Sequence, residues 1–248
     1  MLRFASPNPV EPRAGSWRMM GAPDPRTFSV PPPPANDSPA TQAELAELRL
    51  RTAHRSPGDI AQIRRWSVNE PSVSIHWETL AAELIGRHRL SPPAAARVHY
   101  VLDTAIHGAL IAAWNAKYQH LRPRPHQLDR RIDVSVIPVP EHPAFPSGHS
   151  TVAGAASTIL SRLFPGDAAV AFALAEDSGM SRLKAGVHYR TDHTAGMQLG
   201  REVAEDVLRR VVERDGGPRH YPSPVGIRHL GISEVLALLD CQRLQCRR

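Results

Sequence analysis

The sequence predicts an all-α fold, and three observations carry that expectation. Apolar residues recur at helical spacing through several long segments, helix-start signals stand just ahead of those segments, and no stretch alternates apolar and polar residues as a half-buried strand would. With 248 residues the chain is long enough for one sizeable core plus extensions, so a single helical domain is expected between a lead and a tail.

The lead, residues 1–40, is rich in Pro, Ser and Gly, with Pro31 to Pro34 consecutive, and reads as an extended, largely disordered stretch. Thr41-Gln42-Ala43-Glu44 has the form of a capping box and opens the domain, 41–215, with a helix to about Thr52. Ser56-Pro57 repeats the start signal, serine as cap and proline at the first helical position, for a second helix toward Val68. In a third, about 74–87, Trp77, Leu80, Ala81 and Leu84 fall at helical spacing. Ser91-Pro92 starts the longest helix, whose stripe of Val98, Val101, Leu102, Ala105, Ala109, Ala112 and Ala113 is core. Its small residues invite a neighbouring helix to approach closely, and its last turns deliver Trp114 and Lys117.

Six prolines between 121 and 146 forbid a continuous helix there and predict a long, rigid loop, a kind of segment that is usually functional inside a compact domain. Helices follow at about 148–163, 167–183 and 192–213, the last carrying Ala195, Leu199, Val203, Val207 and Val211 at helical intervals. The tail, 216–248, adds one short helix at about 232–239.

Thirty Lys+Arg against 24 Asp+Glu leave a net charge of +6, which suits an anionic ligand. Nucleic acid fits poorly, because the arginines are spread along the chain and aromatic residues, at 5%, offer no stacking platform. Cys241 and Cys246 are too few for a disulfide framework and lack partners for a zinc site, so they leave the compartment open. No run reaches the roughly eighteen apolar residues of a membrane span, and residues 1–11 lack the apolar core of a signal peptide. The expectation is a soluble, cytoplasmic chain acting on small molecules, with homo-oligomer formation open.

The stretch with most chemistry is Pro146-Ser147-Gly148-His149, where the proline-rich loop turns into an alanine-rich helix. A helix N-terminus presents unpaired N–H groups and about half a positive charge, a seat for an oxyanion. Gly148 lets the backbone approach such a ligand, Ser147 adds a hydroxyl, and His149 can move a proton near neutral pH. An ordinary helix cap is the plain alternative. Likewise Lys117 and Arg182 read singly as solvated helix ends, Arg124 as a loop charge, and His188, with Asp192 four residues on, as a histidine satisfied by backbone.

Together these pieces follow the pattern K-x6-R-P, then P-S-G-H, then S-R-x5-H-x3-D: Lys117, Arg124, Pro125; Pro146, Ser147, Gly148, His149; Ser181, Arg182, His188, Asp192. The pattern resembles the superfamily that joins type 2 phosphatidic acid phosphatases and bacterial class A acid phosphatases with vanadium-dependent haloperoxidases. The likeness covers roughly residues 41–210, and Trp114-Asn115-Ala116-Lys117-Tyr118 looks most like the soluble haloperoxidase branch. It implies a helical bundle with the anion site at helix ends.

Physical chemistry agrees with that implication. Two like charges ~4 Å apart repel by about 4 kcal/mol at an effective dielectric of about 20, so Lys117, Arg124 and Arg182 would share a cleft only around an anion such as phosphate or vanadate. Ser147 and Gly148 would fill its remaining acceptors. The resemblance implies His188 as the apical group, nucleophile to phosphorus or ligand to vanadium, with Asp192 on its other nitrogen. It implies His149 opposite, as general acid or base. One branch carries a vanadate cofactor and oxidises halide with hydrogen peroxide; the other needs no cofactor and hydrolyses phosphate monoesters through a phosphohistidine. Trp114 and His142 are candidates for the halide pocket, against plain core and loop readings. Asn69 and Glu70 are the candidates for an acid steadying Arg182, and His107 stands where the long helix is expected to carry aspartate. Two other readings are a metal hydrolase using His188, Asp192 and His193, and a non-catalytic anion-binding module; the first would need His193 to overcome a turn of about 100° per residue away from Asp192.

Overall fold

The computed structural model describes residues 2–18, 24, 27–67 and 73–245, and among them every regular element is helical. In order these are α1 (Pro39–Ala53), α2 (Pro57–Arg65), α3 (Ser74–Arg87), α4 (Pro92–His120), the short α5 (Pro125–Leu128), α6 (Gly148–Leu163), α7 (Ala168–Lys184), α8 (Arg190–Val207) and α9 (Ile232–Gln245). The expected all-α architecture is present, and six of the starts follow the local chemistry. Proline occupies the first turn of α1, α2, α4 and α5, Ser56 and Asp59 close a reciprocal capping box on α2, Ser147 caps α6, and Asp192 reaches back to the Tyr189 N–H at the mouth of α8.

Two boundaries moved. The cap of α1 is Ser38 rather than Thr41, which releases Glu44 for contacts described below. The tail helix α9 runs past the expected Leu239 to Gln245, and Arg65 of α2 pairs with its Asp240 at 2.8 Å. Cys241 is exposed on α9, and Cys246 lies outside the described residues.

The core forms where α4, α6 and α8 meet, with α3 and α7 on the flanks. All seven residues of the expected α4 stripe are fully buried. What the periodicity does not announce is how α6 and α8 cross. A Cβ at Gly154 would stand 2.3 Å from the Met197 carbonyl oxygen, one at Gly200 2.0 Å from that of Thr151, and one at Gly196 2.7 Å from that of Ser147. The two helices therefore touch main chain to main chain, glycine being the residue that permits it. This crossing brings the N-terminus of α6 against that of α8, where the Ser147 N–H donates to the Asp192 carbonyl at 2.9 Å.

The lead departs from its expected disorder. The Phe4 N–H donates to the Leu121 carbonyl (2.8 Å) and the Val10 N–H to that of Glu141 (2.9 Å), while the Val10 carbonyl accepts from Trp114 Nε1 (3.2 Å) and the Tyr118 hydroxyl (2.6 Å). A short turn, Ala14–Ser16, then presses Gly15 onto the backbone of Asn115. Low apolar content predicts a chain that cannot build its own core, but here the core of α4 and the proline loop supply the partners.

Candidate active site

The sequence-selected residues converge at the shared mouth of α6 and α8. Each arrives on a different element: Lys117 from the end of α4, Arg124 from the cap of α5, Ser147, Gly148 and His149 from the start of α6, Arg182 from the end of α7, and His188 and Asp192 from the entry to α8. Lys117, Arg124 and Arg182 are 0%, 1% and 3% exposed, which for three cations is a costly burial that needs partners.

Those partners are neutral. Lys117 Nζ donates to the carbonyls of Pro143 (2.8 Å), Ala144 (3.2 Å) and Pro146. Arg124 donates through Nη1 to the Val187 carbonyl (2.7 Å) and through Nη2 to that of His142 (2.8 Å), with Nη1 also 3.0 Å from His188 Nε2. Arg182 donates to Ser181 Oγ (2.9 Å), the Ile63 carbonyl (2.9 Å) and Ser67 Oγ (3.0 Å). Among the described residues, none of the three has a carboxylate within ion-pair distance. Asn69 and Glu70, the candidates for an acid on Arg182, lie outside the described residues; Ser67 at the exit of α2 is the polar partner on that side. His107 is exposed on α4.

The imidazoles are held in opposite senses. His188 Nδ1–H donates to Asp192 Oδ2 at 2.9 Å, so the neutral ring offers its Nε2 lone pair. His149 Nε2 lies 2.8 Å from the Trp66 carbonyl, an acceptor only, so that nitrogen carries the proton and Nδ1 is the basic one. Burial pushes His188 well below its ordinary value, and the charges of Arg124, Lys117, His149 and Arg182 add to the push. Burial depresses His149 in the same way, followed by Arg182. Burial likewise lowers Lys117, helped by Arg124, and brings Arg124 to about 10 and Arg182 to about 9. Beyond burial, Arg124 acts on Lys117, Arg182 and His188, and Arg182 on both imidazoles, as close-set buried cations do.

Trp114 and His142 stand together on one side. Their rings stack tilted at 4.9 Å between centroids, His142 Nδ1 lies 3.1 Å from Arg124 Nη2, and the Trp114 ring comes within 3.5 Å of where a Cβ on Gly148 would be. His193 turns away from His188: its Nδ1 meets Ser150 Oγ at 3.0 Å and its Nε2 lies 3.3 Å from Glu176 Oε2. The three-ligand cluster of a metal hydrolase is therefore not assembled from that run. The sequence reading passed over Arg122, which is 2% exposed and sits between two buried carboxylates. Its signal was faint: an arginine two residues before Arg124 in a loop already read as charged.

Fold and site together define a helical protein in which three buried cations stand beside two imidazoles. Residues 96–209 match the family model of the PAP2 superfamily. The chain is 25% identical over 182 residues to a non-specific acid phosphatase of Salmonella typhi, across 70% of this chain and 69% of that protein. Its fold is similar to a bacterial vanadium-dependent iodoperoxidase (TM-score 0.74, 23% identity, 84% of this chain and 60% of that one). It is also similar to a transmembrane PAP2-type phosphatidylglycerolphosphate phosphatase from Bacillus subtilis (TM-score 0.52, 19% identity, 74% and 92%). The chain thus spans 60% of the length of the iodoperoxidase. Among the described residues no helix is long and apolar enough to cross a membrane.

Proposed function

We propose that the site binds a tetrahedral oxyanion and works first as a vanadium-dependent haloperoxidase, with phosphate-monoester hydrolysis as the second reading. The observation that carries oxyanion binding is the trio Lys117, Arg124 and Arg182, buried around His188 Nε2 with only neutral partners among the described residues. A dianion supplies the charge this trio lacks. It would be held by the two guanidinium forks, the Lys117 ammonium, the Gly148 N–H and the Ser147 hydroxyl, with His188 Nε2 beside it.

The donor set fits vanadate as well as phosphate, since the two anions share shape and charge and the ring nitrogen facing the seat is unprotonated. Bound there, vanadate supplies the activation of hydrogen peroxide for halide oxidation. The chain's part is to orient the anion, to shield it behind Trp114 and His142, and to accept a proton at His149 Nδ1. The tilted Trp114–His142 pair beside Arg124 supports this reading as the wall of a small-reactant pocket.

In the phosphatase reading His188 Nε2 attacks phosphorus, exchanging its contact with Arg124 Nη1 for the N–P bond and releasing that N–H for an equatorial oxygen. The ester oxygen leaves with a proton from His149. A bound dianion offsets Arg182 and Lys117 and so raises the proton affinity of His149, which lets it serve as acid first and, once deprotonated, as base for the water that cleaves the phosphohistidine. The Salmonella relative favours this second reading.

The test loads purified protein with orthovanadate, assays halogenation with iodide or bromide and hydrogen peroxide, and measures p-nitrophenyl phosphate hydrolysis in a vanadate-free sample. Halogenation dependent on vanadate is expected. Hydrolysis without halogenation reverses the order of the two readings, and neither activity together with no orthovanadate binding defeats both.

A further inference from the structure

Arg122 is the most completely enclosed cation that the reaction scheme leaves without a task. Its two terminal nitrogens are divided between two carboxylates from different parts of the chain. Nη1 donates to Asp192 Oδ1 at 2.8 Å and Nη2 to Glu44 Oε2 at 2.9 Å, with Asp192 0% and Glu44 8% exposed. The guanidinium lies 3.7 Å over the Tyr189 ring, and Nη1 also reaches Thr191 Oγ1 at 2.6 Å. Glu44 is tied at its other oxygen, which accepts the Thr191 N–H at 2.6 Å in the first turn of α8.

We propose that Arg122 and Glu44 are positioning residues for His188, acting through Asp192: the pair fixes the plane of the Asp192 carboxylate so that its second oxygen locks the imidazole with Nε2 facing the anion seat. This rests on the oxyanion-site reading above.

An aspartate carboxylate turns in a broad, shallow torsional well, so one hydrogen bond to His188 does not fix its plane. Asp192 has a separate anchor on each oxygen: Arg122 on Oδ1, and the Tyr189 N–H (3.1 Å) beside His188 on Oδ2. Removing Arg122 leaves Oδ1 buried without its charged donor, and the carboxylate can rotate to recover one at the expense of the His188 contact. Glu44 makes Arg122 itself immobile. An arginine that held only Asp192 could swing toward the anion seat and join Arg124 and Arg182 there; a second carboxylate on its other terminal nitrogen keeps it behind the imidazole. The fork geometry explains why arginine stands here, since a lysine ammonium cannot span two carboxylates in one plane.

Glu44 lies on α1, outside residues 96–209 that match the superfamily profile. By this account the first helix of the chain belongs to the catalytic frame. The groups facing His188 from the other elements are Lys117 (α4), Arg124 (α5 cap), His142 (proline loop), His149 (α6) and Arg182 (α7), and Asp192 is the carboxylate among them.

The test uses the full chain with Arg122→Ala, Arg122→Lys and Glu44→Gln, the last being the variant of nearly unchanged shape. Three quantities are read: kcat and KM for whichever activity the wild type shows, affinity for orthovanadate by calorimetry, and the low-field proton NMR signal of the His188 Nδ1–H, assigned by its loss in His188→Gln. Expected are a fall in kcat of about tenfold to a hundredfold with KM changed less than about threefold, and a weakened or exchange-broadened Nδ1–H signal in all three variants. Arg122→Lys should recover less than half of the lost rate. A sharp Nδ1–H signal with wild-type kcat in folded Arg122→Ala overturns the proposal, and if that variant does not fold, the same result in Glu44→Gln does so. Should the wild type show neither activity, the proposed function fails while the NMR signal still decides whether Arg122 and Glu44 order the ring.

Discussion

Among the described residues two buried histidine–aspartate pairs of nearly the same geometry lie at opposite ends of the bundle. His188 Nδ1 and Asp192 Oδ2 are 2.9 Å apart at the mouth of α6 and α8; His88 Nε2 and Asp167 Oδ2 are 3.0 Å apart where α3 ends and α7 begins. The difference lies in what surrounds each pair. Around His188 stand Arg124, Lys117 and Arg182, and its second nitrogen faces Arg124. Around His88 stand the Phe164 ring at 4.8 Å and the Pro222 carbonyl, 3.3 Å from its second nitrogen, while Asp167 collects His229 and the Leu230 N–H from the tail. The first pair turns its second ring nitrogen toward buried cations that have no ion pair among the described residues. The second spends every polar atom on holding the tail to the body. A histidine–aspartate contact is thus no signature of catalysis until the other nitrogen and the local charge balance are known.

Three substitution experiments can break or sharpen this contrast. The largest effect is expected at the imidazoles: His188→Ala should lower turnover at least about a thousandfold and abolish orthovanadate retention, and His149→Ala should lower turnover about a hundredfold or more while retention persists. His88→Ala should leave both within about twofold, as steady-state kinetics and equilibrium dialysis would register; a comparable loss there would dissolve the distinction. Next in size is stability. Asp167→Asn should lower the unfolding free energy by about 1–3 kcal/mol in urea titrations with kcat unchanged, because charge-assisted contacts to the tail are removed from a buried position. Smallest is its pH dependence. Burial alone would raise the Asp167 carboxyl, but the hydrogen bonds from His88, Leu230 and His229 outweigh it and hold it below its ordinary value. A carboxyl depressed in the folded state contributes stability above the unfolded pKa and loses it as the solution is acidified through the folded one. The gap between wild type and Asp167→Asn should therefore be widest near neutrality and shrink below about pH 4. A gap that grew on acidification would contradict the assignment.

The sequence disclosed the site better than it disclosed what holds the site together. Lys117, Arg124, Arg182, His149 and His188 are legible from their residue types and spacing, and the structure brings them together at the mouth of α6 and α8. Arg122 escaped because its meaning depends on Glu44, 78 positions away, and on Asp192, 70 away, separations at which no periodicity survives. Glu44 was misplaced for a related reason: Thr41-x-x-Glu44 is a genuine capping pattern, but Ser38 takes the cap and the buried guanidinium takes the glutamate. The glycines of α6 and α8 escaped because a helical glycine reads locally as a propensity cost, whereas its value here is the closeness of a second backbone. Composition alone makes the lead look loose, because it measures what a segment can do alone and not what α4 offers it.

Because Gly154, Gly196 and Gly200 set the spacing of α6 and α8 through carbonyl oxygens rather than side-chain volumes, the distance across the anion seat is insulated from most changes in the surrounding hydrophobic residues. Those three positions are therefore where any residue larger than glycine would push the two helices apart.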